Sequence, residues 1–477
     1  MRVPNRDTSC EDEAMRHWTI GLMLALAVAP ATAGGGNAAE PTAAAGIGTP
    51  PAGTEAAIPE VVRALIDAEP DPQVRAVLVD VATRHPRLVA ARARARAAAE
   101  RPAQARSLPD PQLATSLFLV PPETRVGPQR LTLGLSQAVP WRGKLAARGR
   151  AAARAAERAA READRLALDL VTRARSLLVR IGYLDRAIGI VDEDLATLQG
   201  FEELARARYA AGIGLAQAAV KVQAEITRDR TRRLALEQER AALVAELNAL
   251  RDRPGTSAVP ATAEPVVRAL AADPAELRAQ ALSRLPEVAA ADAGVAEAGE
   301  RLRLARLEYR PDFRFGLGWT FVDRRQDAAG RLVPPEDNGQ DALALTFGLT
   351  IPLWRERLAA GVREAGAVHA ARGERRRDVV LEIDRRLDDL LARVPLVRDQ
   401  WRLFRDVLAP QAEESLRSAR AAYETGRLEI LDLLDAERVL LEVRLGAIRA
   451  ATDWRLLVIE LERTVARPLT GEEEVGS

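Results

Sequence analysis

Two aspartates near the end of the sequence have a type and spacing that could do chemistry. Asp432 and Asp435 follow a Tyr-x-x-Gly motif, Tyr423–Gly426, in a stretch whose residues favour helix. Residues three positions apart lie on the same face of a helix, so the two carboxylates would point the same way. The pair indicates either a surface that attracts cations or an ordinary solvated helix face, since the helix dipole stabilises acids near a helix N-terminus.

Signatures of enzymatic or cofactor chemistry are missing from the sequence. Gly143-Lys144 lacks the spaced glycine of a phosphate-binding loop. His85 and His369 are far apart, and neither accompanies a serine or cysteine nucleophile motif. The 69 basic and 68 acidic residues leave a net charge of +1, which does not suggest nucleic-acid binding. We therefore expect no enzyme activity, no cofactor, no metal site and no nucleic-acid partner.

The N-terminus resembles an export signal. Arg16 and His17 precede an apolar run of about twelve residues, and Ala31–Ala33 fits a small-residue cleavage site. We predict a signal peptide over residues 1–33, with Met15 as a second possible start because acidic residues precede it; a buried apolar helix is the alternative. The only cysteine and all three methionines precede Ala33, so the processed chain would carry no sulfur ligand for a soft metal.

The chain is organised as two similar halves, residues 71–253 and 273–467. Pro109-Asp110 recurs as Pro311-Asp312, and the Tyr-x-x-Gly motif at Tyr209–Gly212 recurs at Tyr423–Gly426, in the same order within each half. Ordered landmarks of this kind predict an internal tandem duplication. The remaining segments are a flexible lead-in (34–70), a linker (254–272) and a tail (468–477).

Each half contains a predicted β-hairpin, at residues 112–138 and 313–351. Apolar residues alternate with small or polar ones, as in Phe313, Phe315, Leu317 and Trp319, and each run is about nine residues long. A tilted strand needs ~9–11 residues to cross a bilayer, and small residues on the second face suit a water-filled lumen. Two ordinary hairpins packed on helices in a soluble domain are the alternative.

Two further observations favour membrane insertion and an oligomer. Trp141 and Trp354 follow the hairpins, where an aromatic residue at a membrane interface would lie. An open sheet cannot sit in lipid with unpaired edges, and single-chain bacterial barrels have at least eight strands. Four strands must then be pooled between copies of the chain.

Long helices are predicted to supply the remaining length. Aromatic residues are only 4% of the chain, and Arg142–Tyr209 contains no proline, so a helix of ~100 Å is expected. The matching stretch of the second half contains Pro395 and Pro410, and we expect a kink or break there.

The order of hairpin, long helix, Tyr-x-x-Gly turn and returning helix, present twice, resembles the TolC family of outer-membrane efflux proteins over roughly residues 70–467. Ser136–Leu145 is similar to the family's exit from its first hairpin, and Leu349–Trp354 to the equivalent junction in the second repeat. The resemblance implies a mainly α fold with a small transmembrane β part: a trimeric 12-stranded β-barrel, four strands per chain, continued by a long α-helical barrel in the periplasm.

The resemblance also implies partners and site residues. Two helix-turn-helix tips, marked by Tyr209 and Gly212 and by Tyr423, Gly426 and Arg427, would contact a periplasmic adaptor (membrane fusion protein). The adaptor would link the duct to an inner-membrane pump of the resistance-nodulation-division or ABC type. Asp432 and Asp435 match in type and spacing the aspartates that ring the family's periplasmic aperture.

The sequence departs from the family pattern at both tips. The first tip has Gln217-Ala218 where the second has Leu431-Asp432, so it adds no acid, and Arg427 lies one position earlier than expected. The expected function is a passive outer-membrane exit duct for heavy-metal cations or drugs, and the Pro-Trp-x-Gly-Lys junction favours the heavy-metal cation branch. A periplasmic adaptor or a coiled-coil scaffold without a membrane barrel is the alternative.

Overall fold

The computed structural model describes residues 58–270 and 273–469, and most of this chain is helical. The predicted signal peptide (1–33), the lead-in up to residue 57 and the tail from residue 470 lie outside the described residues. The lead-in prediction is wrong for residues 58–70, which contain helix α1 (Glu60–Asp67). Its side chains Val62, Leu65 and Ile66 are buried in the main hydrophobic core, so this segment is packed rather than flexible.

Five of the remaining helices belong to the first half and precede or follow its strands. They are α2 (Pro72–Arg84), α3 (Pro86–Ala99), α4 (Arg101–Arg106), α5 (Lys144–Ala210) and the returning α6 (Ala216–Leu250). The second half contains α7 (Pro274–Arg284), α8 (Pro286–Leu307), α9 (Ala328–Leu332), α10 (Arg355–Arg402), α11 (Ala409–Glu424) and α12 (Ile430–Val465). Asp71 and Asp273 cap α2 and α7, each accepting a hydrogen bond from a backbone N–H two residues on.

The two long outgoing helices differ in regularity. Helix α5 runs without interruption for 67 residues, about 100 Å. Helix α10 continues through Pro395, so no break occurs there. The interruption is a π-helical segment, Leu403–Leu408, immediately before Pro410. Proline cannot donate the intrahelical hydrogen bond and its ring crowds the preceding turn, and the wider π turn accommodates both constraints.

None of the helices in the described part of the chain is both long and apolar enough to cross a membrane.

A single antiparallel sheet joins the two halves. Its strands are β1 (Gln112–Leu117), the two-residue β2 (Glu123–Thr124), β3 (Gly127–Val139), β4 (Asp312–Val322) and β5 (Ala342–Thr350). The order across the sheet is β1-β3-β4-β5, with β2 paired to the end of β3. The strand limits lie within one residue of the predicted hairpins, except that the first strand is shorter than predicted and ends at Leu117.

Several apolar clusters and a buried ion network hold the helices together, and two of these clusters bear on the functional site. The larger cluster joins α1, α2 and α5. The second, which we call the tip cluster, lies where α5, α6 and α12 approach the Tyr-x-x-Gly turns and includes Leu198, Val222 and Leu433. In the network, the Arg175 guanidinium of α5 donates to the carboxylates of Glu69 (2.9 Å) and Glu462 (2.7 Å). Arg175 and Glu462 are buried, so removing either partner would leave an uncompensated charge in the interior.

Candidate functional site: an apolar sheet face and two helical tips

The register of the strands places the alternating apolar residues on one face of the sheet. Across the four main strands, Leu113 pairs with Leu135, Leu135 with Leu317, and Leu317 with Leu345. The next rows contain Phe315 beside Phe347, whose ring centroids are 5.5 Å apart. The predicted apolar face is therefore confirmed, and it is continuous across both halves of the chain.

This apolar face is not covered by the described part of the chain. Leu345 is 87% exposed, and the aromatic and aliphatic residues around it are also exposed, namely Leu113, Leu117, Leu135, Phe315, Leu317, Trp319, Leu343, Phe347 and Leu349. A contiguous exposed apolar surface marks a contact with a membrane or another protein. The alternative of hairpins packed on helices predicted the opposite, a face buried within the chain.

The opposite face of the sheet carries small and hydroxyl side chains. Gly134 and Gly318 are register partners, and the hydroxyls of Thr132 and Thr320 lie 3.1 Å apart. Such a face tolerates contact with water and leaves space beside the sheet. The sheet thus has one lipid-compatible side and one water-compatible side.

Both outer strands have an unpaired edge. Strands β1 and β5 each pair on one side only within the described residues. Exposed edges of this kind present free N–H and C=O groups that can pair with another chain. The sheet of a single chain is therefore open, and a strand from another chain could pair with either edge.

A buried lysine, which sequence reasoning missed, joins the sheet to the helices. Lys144, the first residue of α5, is 2% exposed. Its ammonium group lies 2.9 Å from Asp312 and 3.3 Å from Glu308, and it donates to the Arg310 carbonyl at 3.0 Å. The three N–H donors of the ammonium group thus have three oxygen acceptors, and these contacts connect the end of β3 to the start of β4.

The two tryptophans at the ends of the hairpins lie in different surroundings. The backbone N–H of Trp141 donates to Asp312 at 2.7 Å, and its ring is 5.7 Å from Phe313 at the end of the apolar face. Trp354 is 73% exposed, immediately before α10. Both rings are placed at the junction of sheet and helices.

The two Tyr-x-x-Gly motifs form the same turn. Gly212 and Gly426 have φ angles of +74° and +76°, in the left-handed region that favours glycine. In each turn the glycine N–H donates to the tyrosine carbonyl, and the next N–H donates to the carbonyl five residues before it. These hydrogen bonds end α5 and α11 in the same Schellman-type cap and start α6 and α12.

The tyrosines of the two turns are not equivalent. Tyr209 is exposed, whereas Tyr423 is 5% exposed. Arg208 of the first turn donates to the Tyr423 carbonyl and lies 4.7 Å from the centre of its ring. Burial raises the pKa of Tyr423, and the nearby guanidinium offsets only part of this effect. Arg208 therefore links the two turns within one chain.

The resemblance assigned an arginine to the tip, and the structure shows where the arginines lie. The backbone N–H of Arg427 donates to the Ala422 carbonyl, but its side chain makes no ion pair or hydrogen bond to the described residues. Arg208 makes the contact to the second turn instead. No local pattern marks Arg208, because its partner is 215 residues away.

Asp432 and Asp435 lie on the exposed face at the start of α12. Leu433 and Leu434, between them, are buried in the tip cluster, so the two aspartates face away from it. Asp435 is 3.9 Å from Arg438, beyond hydrogen-bonding distance. The two carboxylates therefore remain accessible in the single chain. The described residues contain no group of three or more ligating side chains suited to a metal ion.

The comparisons with known proteins support one fold. The model of the outer membrane efflux protein family matches residues 277–467, which is most of the second half. The structure is similar to that of CusC (TM-score 0.70, 18% identity, 83% of this chain and 92% of that chain). It is also similar to VceC from Vibrio cholerae (0.68, 19%, 83% and 97%) and to the open state of the MtrE outer membrane channel from Neisseria gonorrhoeae (0.68, 18%, 83% and 90%).

No curated protein matches the sequence significantly. At identities below 20%, the structural similarity establishes the fold, which is the mainly helical fold of outer-membrane channels with a small antiparallel sheet.

Proposed function

We propose that three copies of this chain form an outer-membrane exit duct that conducts substrates passively from an inner-membrane pump and a periplasmic adaptor to the exterior. The observation that carries the proposal is the sheet: one continuous exposed apolar face, one small polar face and two free edges. Lipid around the first face and water beside the second would satisfy both, and pairing between copies would close the edges.

The number of strands supports assembly between copies. Four main strands per chain would give twelve in a trimer, within the range of closed bacterial barrels, whereas one chain alone leaves unpaired groups that lipid cannot satisfy. The terminal β5 edge of one copy would pair with the β1 edge of the next. Trp141 and Trp354 would then lie near the membrane interface, where amphipathic rings are favoured.

The tips would form the inner opening of the duct. Three copies would bring six carboxylates, from Asp432 and Asp435, to a ring that favours cations over anions. The first tip exposes apolar side chains, Ile213 and Leu215, next to Tyr209. With Gly212, Gly426 and Arg427 shaping and flanking the turns, the tips would contact the adaptor.

The cargo is proposed only by class. Heavy-metal cations are compatible with an acidic aperture, and drugs are compatible with a passive water-filled duct. In either case the pump supplies the energy and the chain supplies no redox or hydrolytic step.

Cell fractionation tests the membrane part of the proposal. The processed chain is expected in the outer membrane as an oligomer. Its migration on a gel should change when the sample is boiled. A monomer in the soluble fraction, without detergent, would refute the duct.

Conductance in planar bilayers tests the aperture. The double variant Asp432→Asn/Asp435→Asn should lower the cation-to-anion permeability ratio several-fold, because it removes the ring of negative charge. The matched control is Asp388→Asn, an exposed aspartate on α10 roughly 50 Å from the tip. If selectivity is the same in wild type and in the double variant, Asp432 and Asp435 do not line the aperture.

A further inference from the structure

An acidic side chain is buried beside the apolar tip cluster, where α12 packs against α5 and α6; we call this contact the seam. Glu437 lies on α12, one helical turn from Leu433, Leu434 and Leu441, all of which belong to the tip cluster. Glu437 is 5% exposed and forms no ion pair or hydrogen bond with any residue in the described ranges. An ionised carboxylate in such a position is costly unless it is paired.

The cations nearest to Glu437 are engaged elsewhere. Arg438 is 2.8 Å from Glu225 of α6. Arg444 lies 3.5 Å from both Glu193 of α5 and Glu413 of α11. Neither guanidinium is placed to form an ion pair with Glu437.

The helices packed around Glu437 present further charged groups. On α5 these are Asp194 and Glu202, on α6 Glu225, Arg228 and Asp229, and on α11 Glu413 and Arg420. Glu202 accepts a hydrogen bond from Gln223, and Arg420 donates to Glu424. The charged groups that act on Glu437 are the Arg438 and Arg444 guanidiniums, which offset part of the cost of its burial without pairing with it.

Two of these neighbours are also buried acids, although Asp229, unlike Glu437, forms an ion pair with Arg232 at 3.6 Å. Asp194 and Asp229 are both buried on the faces that α5 and α6 turn toward the tip cluster. One carboxylate oxygen of Asp194 is buried with no hydrogen-bond partner. The ion pairs that align α5, α6 and α12 place the three acids within roughly two helical turns along the axis.

We propose that Glu437 is a proton-dependent latch of the tip. When the carboxyl is protonated, α12 packs against α5 and α6 as in this structure; when it ionises, that packing loosens. The latch would make the inner end of the duct responsive to pH, and this role rests on the proposed function. The effect of the protonation of Glu437 on helix packing does not depend on that function.

The direction of the pH dependence follows from burial. Burial raises the pKa of Glu437 to about 7 from 4.5, with Arg438 and Arg444 offsetting part of the effect. Burial likewise raises the pKa of Asp229. A raised pKa in the packed state stabilises it at low pH, and this stabilisation is lost as the pH rises from about 4.5 to about 7. Local opening of the seam should then increase on the order of a hundredfold across that range.

Amide hydrogen exchange on the purified full chain in detergent tests the latch. After correction for intrinsic exchange, protection of amides near Leu433–Leu441 should fall between pH 5 and pH 7.5 in wild type. In Glu437→Gln, whose side chain cannot ionise, this dependence should become much weaker, because only the contribution of Asp229 remains. The matched control, Glu442→Gln, alters an exposed glutamate of the same helix and should behave as wild type.

Glu437→Leu provides a second variant should the glutamine side chain disturb folding, and it too should show a much weaker pH dependence of protection. Constant protection in wild type, or an unchanged pH dependence in both Glu437 variants, would overturn the latch. The exchange measurement does not depend on conduction, so the latch can fail while the duct remains, and the loss of the duct would be seen only in fractionation and conductance.

Discussion

Replacing Lys144 by methionine should destabilise the junction between sheet and helices. Methionine retains most of the volume of the side chain but removes the ammonium that contacts Asp312, Glu308 and the Arg310 carbonyl. The two carboxylates would lose their shared cation and repel each other. A junction that connects β3 to α5 and α8 to β4 would then be held mainly by backbone hydrogen bonds.

The magnitude follows from the exposure of the partners. Breaking a fully buried ion pair by removing one member costs about 3–5 kcal/mol. Here Lys144 is buried, but the Asp312 and Glu308 side chains are 35% and 40% exposed, so water can solvate them in the variant. Asp312 also keeps the hydrogen bond from the Trp141 N–H. We therefore expect a loss of about 2–3 kcal/mol, or roughly 5 °C in the unfolding temperature.

Thermal unfolding in detergent, followed by tryptophan fluorescence, measures this loss, because Trp141 lies at the junction. Lys221→Met changes the only other lysine of the chain, which forms no ion pair within the described residues, and should shift the transition by less than about 1 °C. An unfolding temperature and fluorescence spectrum for Lys144→Met equal to those of wild type would refute the reasoning, since the three contacts would then contribute nothing measurable.

Two other substitutions probe the tip and the irregular helix. Arg208→Ala removes the contact between the two turns and should raise the basal conductance of the duct in planar bilayers; Arg206→Ala, at an exposed position on the same helix, is the control, and equal conductance in both variants would contradict the role of the contact. Gly446→Ala should destabilise the chain by about 1–3 kcal/mol in thermal unfolding, because a Cβ there would lie 2.5 Å from the Phe404 ring. In the control Gly361→Ala, the new Cβ has no neighbour within 4 Å, so the substitution should be neutral or slightly stabilising. If the Gly446 variant is as stable as this control, the Phe404 ring moves aside at no measurable cost.

The sequence predicted those parts of the fold that depend on local periodicity. Alternation with a period of two assigned Leu135 and Leu317 to one face of the strands, and the observed register confirms it. Proline-free apolar spacing of three and four residues predicted α5 almost to its ends. Both patterns express the geometry of one element, so they can be read without knowing what lies beside it.

The features that the sequence did not reveal depend on distant residues or on a competition between local preferences. Lys144 and Glu437 look like ordinary charged residues until neighbouring elements bury them. The role of Arg208 depends on its contact with Tyr423, which lies on another helix. The prolines predicted an irregularity, but its position depends on which turn can widen, and that is decided by packing, including the place of Phe404 beside Gly446.

The two helical pairs that end in the tips are therefore held differently, although their turns are alike. Helices α5 and α6 are joined by ion pairs along their length, between Arg173 and Glu246, Arg240 and Asp185, and Arg233 and Asp192. Between α11 and α12, the described residues form one such pair, Arg444 with Glu413 at 3.5 Å. The π-helical segment precedes α11, and α12 carries both the proposed latch and, in its first turns, the exposed aspartates. Arg438 ties α12 to Glu225 of α6 and Arg444 ties it to Glu193 of α5, whereas one ion pair joins α11 to α12 within the described residues. Because fewer ion pairs hold α11, loss of the Arg208 contact should displace α11 more than α12 relative to α5 and α6.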